Sequence, residues 1–297
     1  MMLSRIAESL FWIGRYLERV DDTARLLDVQ MQVLLEDAGV EVGPWTARLF
    51  DVMGVQEPVE HFTRAEVLER LAYDRESEHS IAFALDCARE NARGAREVLS
   101  TEMWAAINTM WQGMTGARAM RTPTLFSWVR TRSAQIAGIA DSTMTRDEGW
   151  QFLVIGRYLE RADMTARLMA TAALAPGAQL AWPTTLRGCS AYEAFLKAYR
   201  GLETDHEAIE FLLLDRWFPR SIVYSLAVAE NALGQMEGDG QRAGFSDEAQ
   251  RLLGRARADL EYRPLGEIIA DLPEEMERLQ QTCTAASEAI SARYFAL

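Results

Sequence analysis

Apolar side chains recur along this chain at spacings of three and four. Between residues 3 and 31 they fall at Leu3, Ile6, Leu10, Ile13, Leu17, Val20, Ala24, Leu27 and Met31, and further on at Phe152, Ile155, Leu159, Ala162, Ala166 and Met169. Laid on 3.6 residues per turn, each set forms one stripe, so both segments predict long amphipathic helices. Alternating β-branched patterns are almost missing, while Ala, Leu, Arg, Glu and Met dominate the proline-free stretches 59 to 122 and 124 to 175. The pattern predicts an all-α protein. Gly and Pro cluster at 38 to 44, 54 to 58, 175 to 188 and 237 to 244, which read as loops. Thr145-Arg146-Asp147-Glu148 reads as a capping box opening the second stripe's helix.

The polar faces of the two helices repeat as well. Ile13-Gly14-Arg15-Tyr16-Leu17-Glu18-Arg19 returns as Ile155-Gly156-Arg157-Tyr158-Leu159-Glu160-Arg161, and Thr23-Ala24-Arg25-Leu26 as Thr165-Ala166-Arg167-Leu168. At an offset of 141, Glu66, Glu69, Asp74, Arg75, Ser80, Ile81 and Leu85 match Glu207, Glu210, Asp215, Arg216, Ser221, Ile222 and Leu226. After a one-residue slip, Glu90-Asn91-Ala92 matches Glu230-Asn231-Ala232. The sequence therefore predicts an internally duplicated multi-helix bundle of roughly eight to twelve helices with pseudo-two-fold symmetry. Its repeats span about 1–117 and 143–260, joined by a helical connector over 118–142, with a C-terminal helix at about 273–295, all in one body of 1–297.

Exposed ion pairs contribute only a few tenths of a kcal/mol, so a wetted surface has little reason to keep Arg, Glu and Arg in register. The charged ridge is expected to turn inward, either as a salt-bridge network or as a polar pocket for an anionic or zwitterionic ligand. In Ala88-Arg89-Glu90-Asn91-Ala92-Arg93, Asn91 is a poor helix former that calls for a specific partner. Glu90, Asn91 and Arg93 are accordingly expected to face Arg15, Glu18 and Arg19. Arg25, Arg157, Glu160, Arg161, Arg167 and Arg220 complete the ligand-binding candidates.

A net charge of -13 argues against nucleic acid or an anionic membrane as partner. No apolar run is long enough to span a bilayer, and Arg5 and Glu8 stand where a signal peptide would be greasy, so a cytoplasmic protein is expected. Cys87, Cys189 and Cys283 are odd in number and widely spaced, which fits free thiols. Lysine occurs once, at Lys197, and arginine supplies the remaining basic residues; the guanidinium is the group suited to carboxylate and phosphate forks. The eight tryptophans, Trp104, Trp111, Trp128, Trp150 and Trp217 among them, read as core more readily than as interface.

The opening Met2-Leu3-Ser4-Arg5-Ile6-Ala7-Glu8-Ser9-Leu10-Phe11-Trp12 with the motif that follows, then Ala88-Arg89-Glu90-Asn91-Ala92-Arg93, Glu102-Met103-Trp104 with Asn108, and Phe218-Pro219-Arg220-Ser221 resemble the bacterial alpha-E family, an all-helical domain of unknown function. The resemblance covers essentially the full length. It implies a protein encoded beside, or fused to, a circularly permuted ATP-grasp ligase, and often a transglutaminase-like cysteine protease. The chain departs from the family pattern at Val20-Asp21-Asp22, where Ala-Glu-Asn is more usual, so Asp22 and its counterpart Met164 are not expected to make an essential contact.

Three functions compete. One is an accessory or scaffold protein of the ligase system for peptide or amide-bond formation, holding the ligase or its substrate through Arg and Glu; ATP and Mg then belong to the ligase, and this chain needs no cofactor. Another is a ferritin-like metal-binding bundle, prompted by Glu76-Ser77-Glu78-His79 and Glu203-Thr204-Asp205-His206, although those two pairs are not equivalent between the repeats. The last is a purely structural module that forms homo-oligomers. With only His61, His79 and His206, no Gly-x-Ser-x-Gly elbow and no phosphate-binding loop, no residue presents itself as catalytic and no metal ligand set is assigned.

Overall fold

No strand occurs among the residues described by the computed structural model, which are 3–36, 42–56, 62–174, 181–200, 204–236 and 243–296. Fourteen α-helices form among those residues instead, more than expected because several are only five to eight residues long. The chain divides into two compact units, one of Trp12–Arg146 and one of Met1–Phe11 with Asp147–Leu297. None of the described helices is long and apolar enough to cross a membrane.

The amino-terminal unit holds α1 (Ser4–Glu36) from Trp12 onward, α2 (Val42–Met53), α3 (Arg64–Leu68), α4 (Ile81–Gly94), α5 (Thr101–Gly113) and α6 (Thr122–Thr143). The apolar stripe of α1 is buried as its spacing requires, apart from Leu3 at the open end. Trp45 of α2 is buried and its indole donates to the Gln30 carbonyl at 3.1 Å, while Arg130 of α6 pairs with Asp28 at 3.0 Å, so both elements are tied to α1. α3 runs on into a π-helical turn, Glu69–Tyr73, and α5 into a 3-10 turn, Met114–Ala119.

In the carboxy-terminal unit, α7 (Glu148–Ala173) is followed by α8 (Ala181–Gly188), α9 (Tyr192–Ala198), α10 (Asp205–Leu214), α11 (Ile222–Gly234), α12 (Glu248–Tyr262), α13 (Leu265–Ala270) and α14 (Leu272–Ile290). α7 packs on α11 and α14, and α12 packs on the same two helices. A final π-helical turn, Ser291–Phe295, brings Phe295 to 5.6 Å from Phe11 and 5.9 Å from Phe152. Asp247, almost fully buried, holds that turn through Tyr294 Oη at 2.7 Å and Arg293 at 3.0 Å.

Several punctuation marks fall elsewhere than expected. Gly43-Pro44 and Trp182-Pro183 lie in the first turns of α2 and α8, where proline's missing N–H would have no helical partner in any case. The capping residue of α7 is Asp147, whose carboxylate accepts from the Trp150 amide at 3.2 Å, not Thr145; Arg146 is drawn back onto Asp141 at 2.7 Å, so the chain turns into the helix after it. The proline-free stretch 59 to 122 is broken twice by serine caps, at Ser80 and Ser100. Residues 38–41, 57–58, 175–180 and 237–242 of the expected loops lie outside the described residues.

Candidate functional site

The charged ridge of α1 does turn inward. Glu18, Asp21 and Asp22 are all buried, and one carboxylate oxygen from each lies within 4.8 Å of the others. Three buried anions at that separation are tolerable only with cations beside them. The helix supplies them at the spacing that shares a face: Arg15 precedes Glu18 by three, Arg19 precedes Asp22 by three, and Arg25 follows Asp21 by four. Arg25 binds Asp21 at 2.6 Å with both side chains 11% exposed.

Above this network runs a ladder of rings and guanidiniums. Trp12 stacks on Tyr16 at 5.4 Å, Arg15 lies over Trp12 at 5.9 Å, and Arg19 lies over Tyr16 at 5.5 Å. The Tyr16 hydroxyl bonds the Cys87 thiol, which burial nevertheless holds above its usual range, so Cys87 is no activated nucleophile. His79 donates to the Met53 carbonyl and faces the charges of Glu78, Arg19 and Arg70; burial, the strongest influence, holds it below its ordinary value of 6.5.

α7 repeats the local pattern within its own unit. Glu160 is 3% exposed, Asp163 is buried, and Arg167 binds Asp163 at 2.8 Å, four residues apart as in Arg25 and Asp21. Arg161 lies over the Tyr158 ring at 4.8 Å and donates to the Pro219 carbonyl at 3.2 Å; Thr165 donates to the Arg220 carbonyl at 3.1 Å. Tyr158 and Tyr224 lie 6.0 Å apart, and burial raises Tyr224 above the ordinary phenol range. The ridge thus grips the turn before α11, where Arg220 sits half-buried; Arg157 is half-buried on α7.

The second polar cluster is placed differently from expectation. Glu90 pairs with Arg89 at 2.9 Å and Arg93 at 2.7 Å on its own helix, with side chains 50% and 68% exposed at Glu90 and Arg93. Asn91 donates to the Cys87 carbonyl four residues back. Glu90 and Arg93 therefore point to solvent rather than across an interior, because neighbours one and three positions away satisfy Glu90 without burial. What α4 does build is a clamp: the Trp111 indole donates to Asp86 at 2.5 Å and lies beneath Arg89 at 4.1 Å and Arg75 at 5.6 Å, while Arg89 also donates to Asn108 at 2.8 Å.

The Glu-x-x-His pairs assemble nothing at the residues described. His79 is committed to a backbone carbonyl between two arginines, His206 is exposed in the first turn of α10, and Glu203 and His61 lie outside the described residues. Trp217 is 88% exposed, and Trp104, Trp111, Trp128 and Trp150 are only half-buried, whereas Trp45 and Trp182 are core. Two pairs of equivalent positions not singled out in the sequence, Tyr16 and Tyr158, and Asp21 and Asp163, carried a usable signal: each pair is identical in the two copies.

A family model described as Alpha-E, a predicted alpha-helical domain with a conserved ER motif, matches residues 2–295; Glu18-Arg19 and Glu160-Arg161 are the two Glu-Arg pairs of the repeated segment. Among curated proteins, the uncharacterized protein Mb2597 of Mycobacterium bovis and the uncharacterized proteins MT2643 and Rv2567 of Mycobacterium tuberculosis are each 25% identical over 252 residues, covering 75% of this chain and 28% of theirs. This chain thus spans less than a third of the length of the curated relatives it matches. No solved structure matches it.

Proposed function

Since this chain belongs to the Alpha-E family, we propose that it is the accessory or scaffold component of an ATP-grasp ligase system that forms peptide or amide bonds, working in the cytoplasm. The observation that carries the reading is one of proportion: the family model takes in residues 2–295, and the stretch shared with the curated relatives is 75% of this chain but 28% of theirs, so there the same unit is one part of a much longer polypeptide. A unit joined to further polypeptide in its relatives is suited to working against a neighbouring component by docking. The ligase holds ATP and Mg²⁺, and this chain contributes binding and orientation. A transglutaminase-like protease is the second expected partner, and a homo-oligomer is compatible with this role.

Buried carboxylates locked to arginines on their own helices support a stiff scaffold more than a vacant anion pocket. We read the two motif copies as halves of one duplicated, pseudo-two-fold body. The reading is supported by the same turn in both: Ser80 and Ser221 each donate to the carbonyl of Asp74 or Asp215 and accept from the amide of Phe83 or Tyr224. The test is to mix the purified chain with the ATP-grasp ligase encoded beside it and to follow complex formation and ATP turnover. Co-elution with a changed turnover is expected; two independent peaks and an unaltered rate would dispose of the ligase reading.

A further inference from the structure

Outside the charged ridge, the amino-terminal unit has a cleft of about 450 Å³, within the size range of small-molecule sites. One wall is the π-helical turn and the segment after it, giving Glu69, Tyr73, Asp74, Arg75 and Glu76; the other is the 3-10 turn, giving Met114, Thr115 and Arg118. Three carboxylates face two guanidiniums, and one of those, Arg75, is drawn away onto Asp86 by two bonds of 2.6 and 2.8 Å. Asp74 is engaged by the Glu76 amide at 2.9 Å and by Arg70 at 3.1 Å. Glu76, which also lines the cleft, is exposed. The balance of the lining is anionic and favours a cation.

Arg118 shows what shape of cation fits. Its guanidinium lies over the Tyr73 ring at 4.9 Å and forks onto both oxygens of Glu69, an aromatic face and a bidentate carboxylate at once. Yet Arg118 and Glu69 are 61% and 47% exposed, and an ion pair so open to water holds weakly. A side chain of the protein therefore occupies a guanidinium subsite that it can leave.

We infer that this cleft binds a guanidinium group, that of an arginine, by displacing Arg118 from Glu69 and Tyr73, with Glu76 as the second carboxylate contact. The inference rests on the cleft alone and stands apart from the ligase reading. Removing Arg118 should then strengthen binding, whereas at an anion site it would abolish it.

The experiment is calorimetric titration of the full chain and of R118A, E69Q and E76Q, all surface changes whose folding is checked by thermal melting. N-acetyl-arginine amide and free L-arginine are the probes, with inorganic phosphate as the opposite charge. Saturable binding of an arginine probe is expected, weakened in E69Q and E76Q and tightened in R118A by up to about fivefold, the reach of an exposed ion pair. A stronger response to the blocked amide marks a residue within a peptide as the natural source, and a stronger response to L-arginine marks the free amino acid. No saturable binding of either, preferential binding of phosphate, or weaker binding by R118A would overturn the proposal.

Discussion

His79 shows how a single side chain makes stability depend on pH. Burial disfavours its imidazolium, and the opposing pull of Glu78 and of the Met53 carbonyl does not make up the difference, so the folded value lies below 6.5. As pH falls through 6.5 the unfolded chain takes up a proton that the folded chain resists, and stability is lost from there down to the depressed folded value. Melting temperature should fall on acidification across that window, and by less in H79Q. An equal slope in both proteins would show that the dependence comes from other groups. At lower pH Glu69 and Asp74 add their own loss. Arg118 holds Glu69 below the ordinary carboxylate range and the Glu76 amide does the same for Asp74, so both contribute stability above that range that disappears as they protonate. Residues of this kind were only partly legible in the sequence. Glu18 and Glu160 were marked by repetition, but Glu90 carried the same mark and is exposed, since identity between repeats records that a position matters and says nothing of which way it points.

Helices were easier to foresee than the joints between them. The 3.6 period located α1 and α7 because each buries an apolar stripe over many turns. The breaks at Ser80 and Ser100 escaped notice because no Gly or Pro lies in the five residues before them; there, as at Ser221 after Pro219, a hydroxyl accepts the amide three residues on and opens the next helix. Close approach of helices was equally silent. Gly254 of α12 faces Glu230 of α11 so tightly that an added methyl carbon would lie 2.7 Å from Oε1. That carboxylate is held by Arg257 at 2.7 Å, and Arg257 in turn binds Glu261 at 2.5 Å, which also pairs with Arg216 at 2.9 Å. G254A must therefore push the Glu230 carboxylate off its arginine, and since alanine's helix preference returns about 1 kcal/mol, a net loss of about 1 kcal/mol is expected in denaturant unfolding. Combining it with E230A should recover part of that loss, because the atom in the way is gone; strictly additive effects would refute the steric account.

At the scale of the molecule, an exposed tryptophan in a well-formed turn is the feature that composition least suggested. Trp217 follows Asp215, whose carboxylate accepts from the amides of both Trp217 and Phe218, so the ring is displayed on a fixed backbone. A rigid aromatic with nothing over it among the described residues is the side chain that interfaces most often use as an anchor. W217A should leave the melting temperature unchanged and weaken association with the ligase by more than about tenfold, measured by co-elution or titration; unchanged association would move the docking surface elsewhere. The overall class was legible because helical periodicity is a local property. The division into Trp12–Arg146 and the remainder was not, because it depends on contacts between distant residues.

Phe11 belongs with Phe295 and Phe152, although α1 from Trp12 onward belongs to the other unit. At about 5–20 residues per second, a ribosome takes on the order of tens of seconds to travel from the first of these rings to the last. Throughout that interval the turns up to Phe11, greasy on one side, wait without the surface that will shelter them, while Trp12–Arg146 is completed about halfway through it. The two units therefore mature in sequence during translation, and the one that contains Phe11 is sealed only once Phe295 has been added.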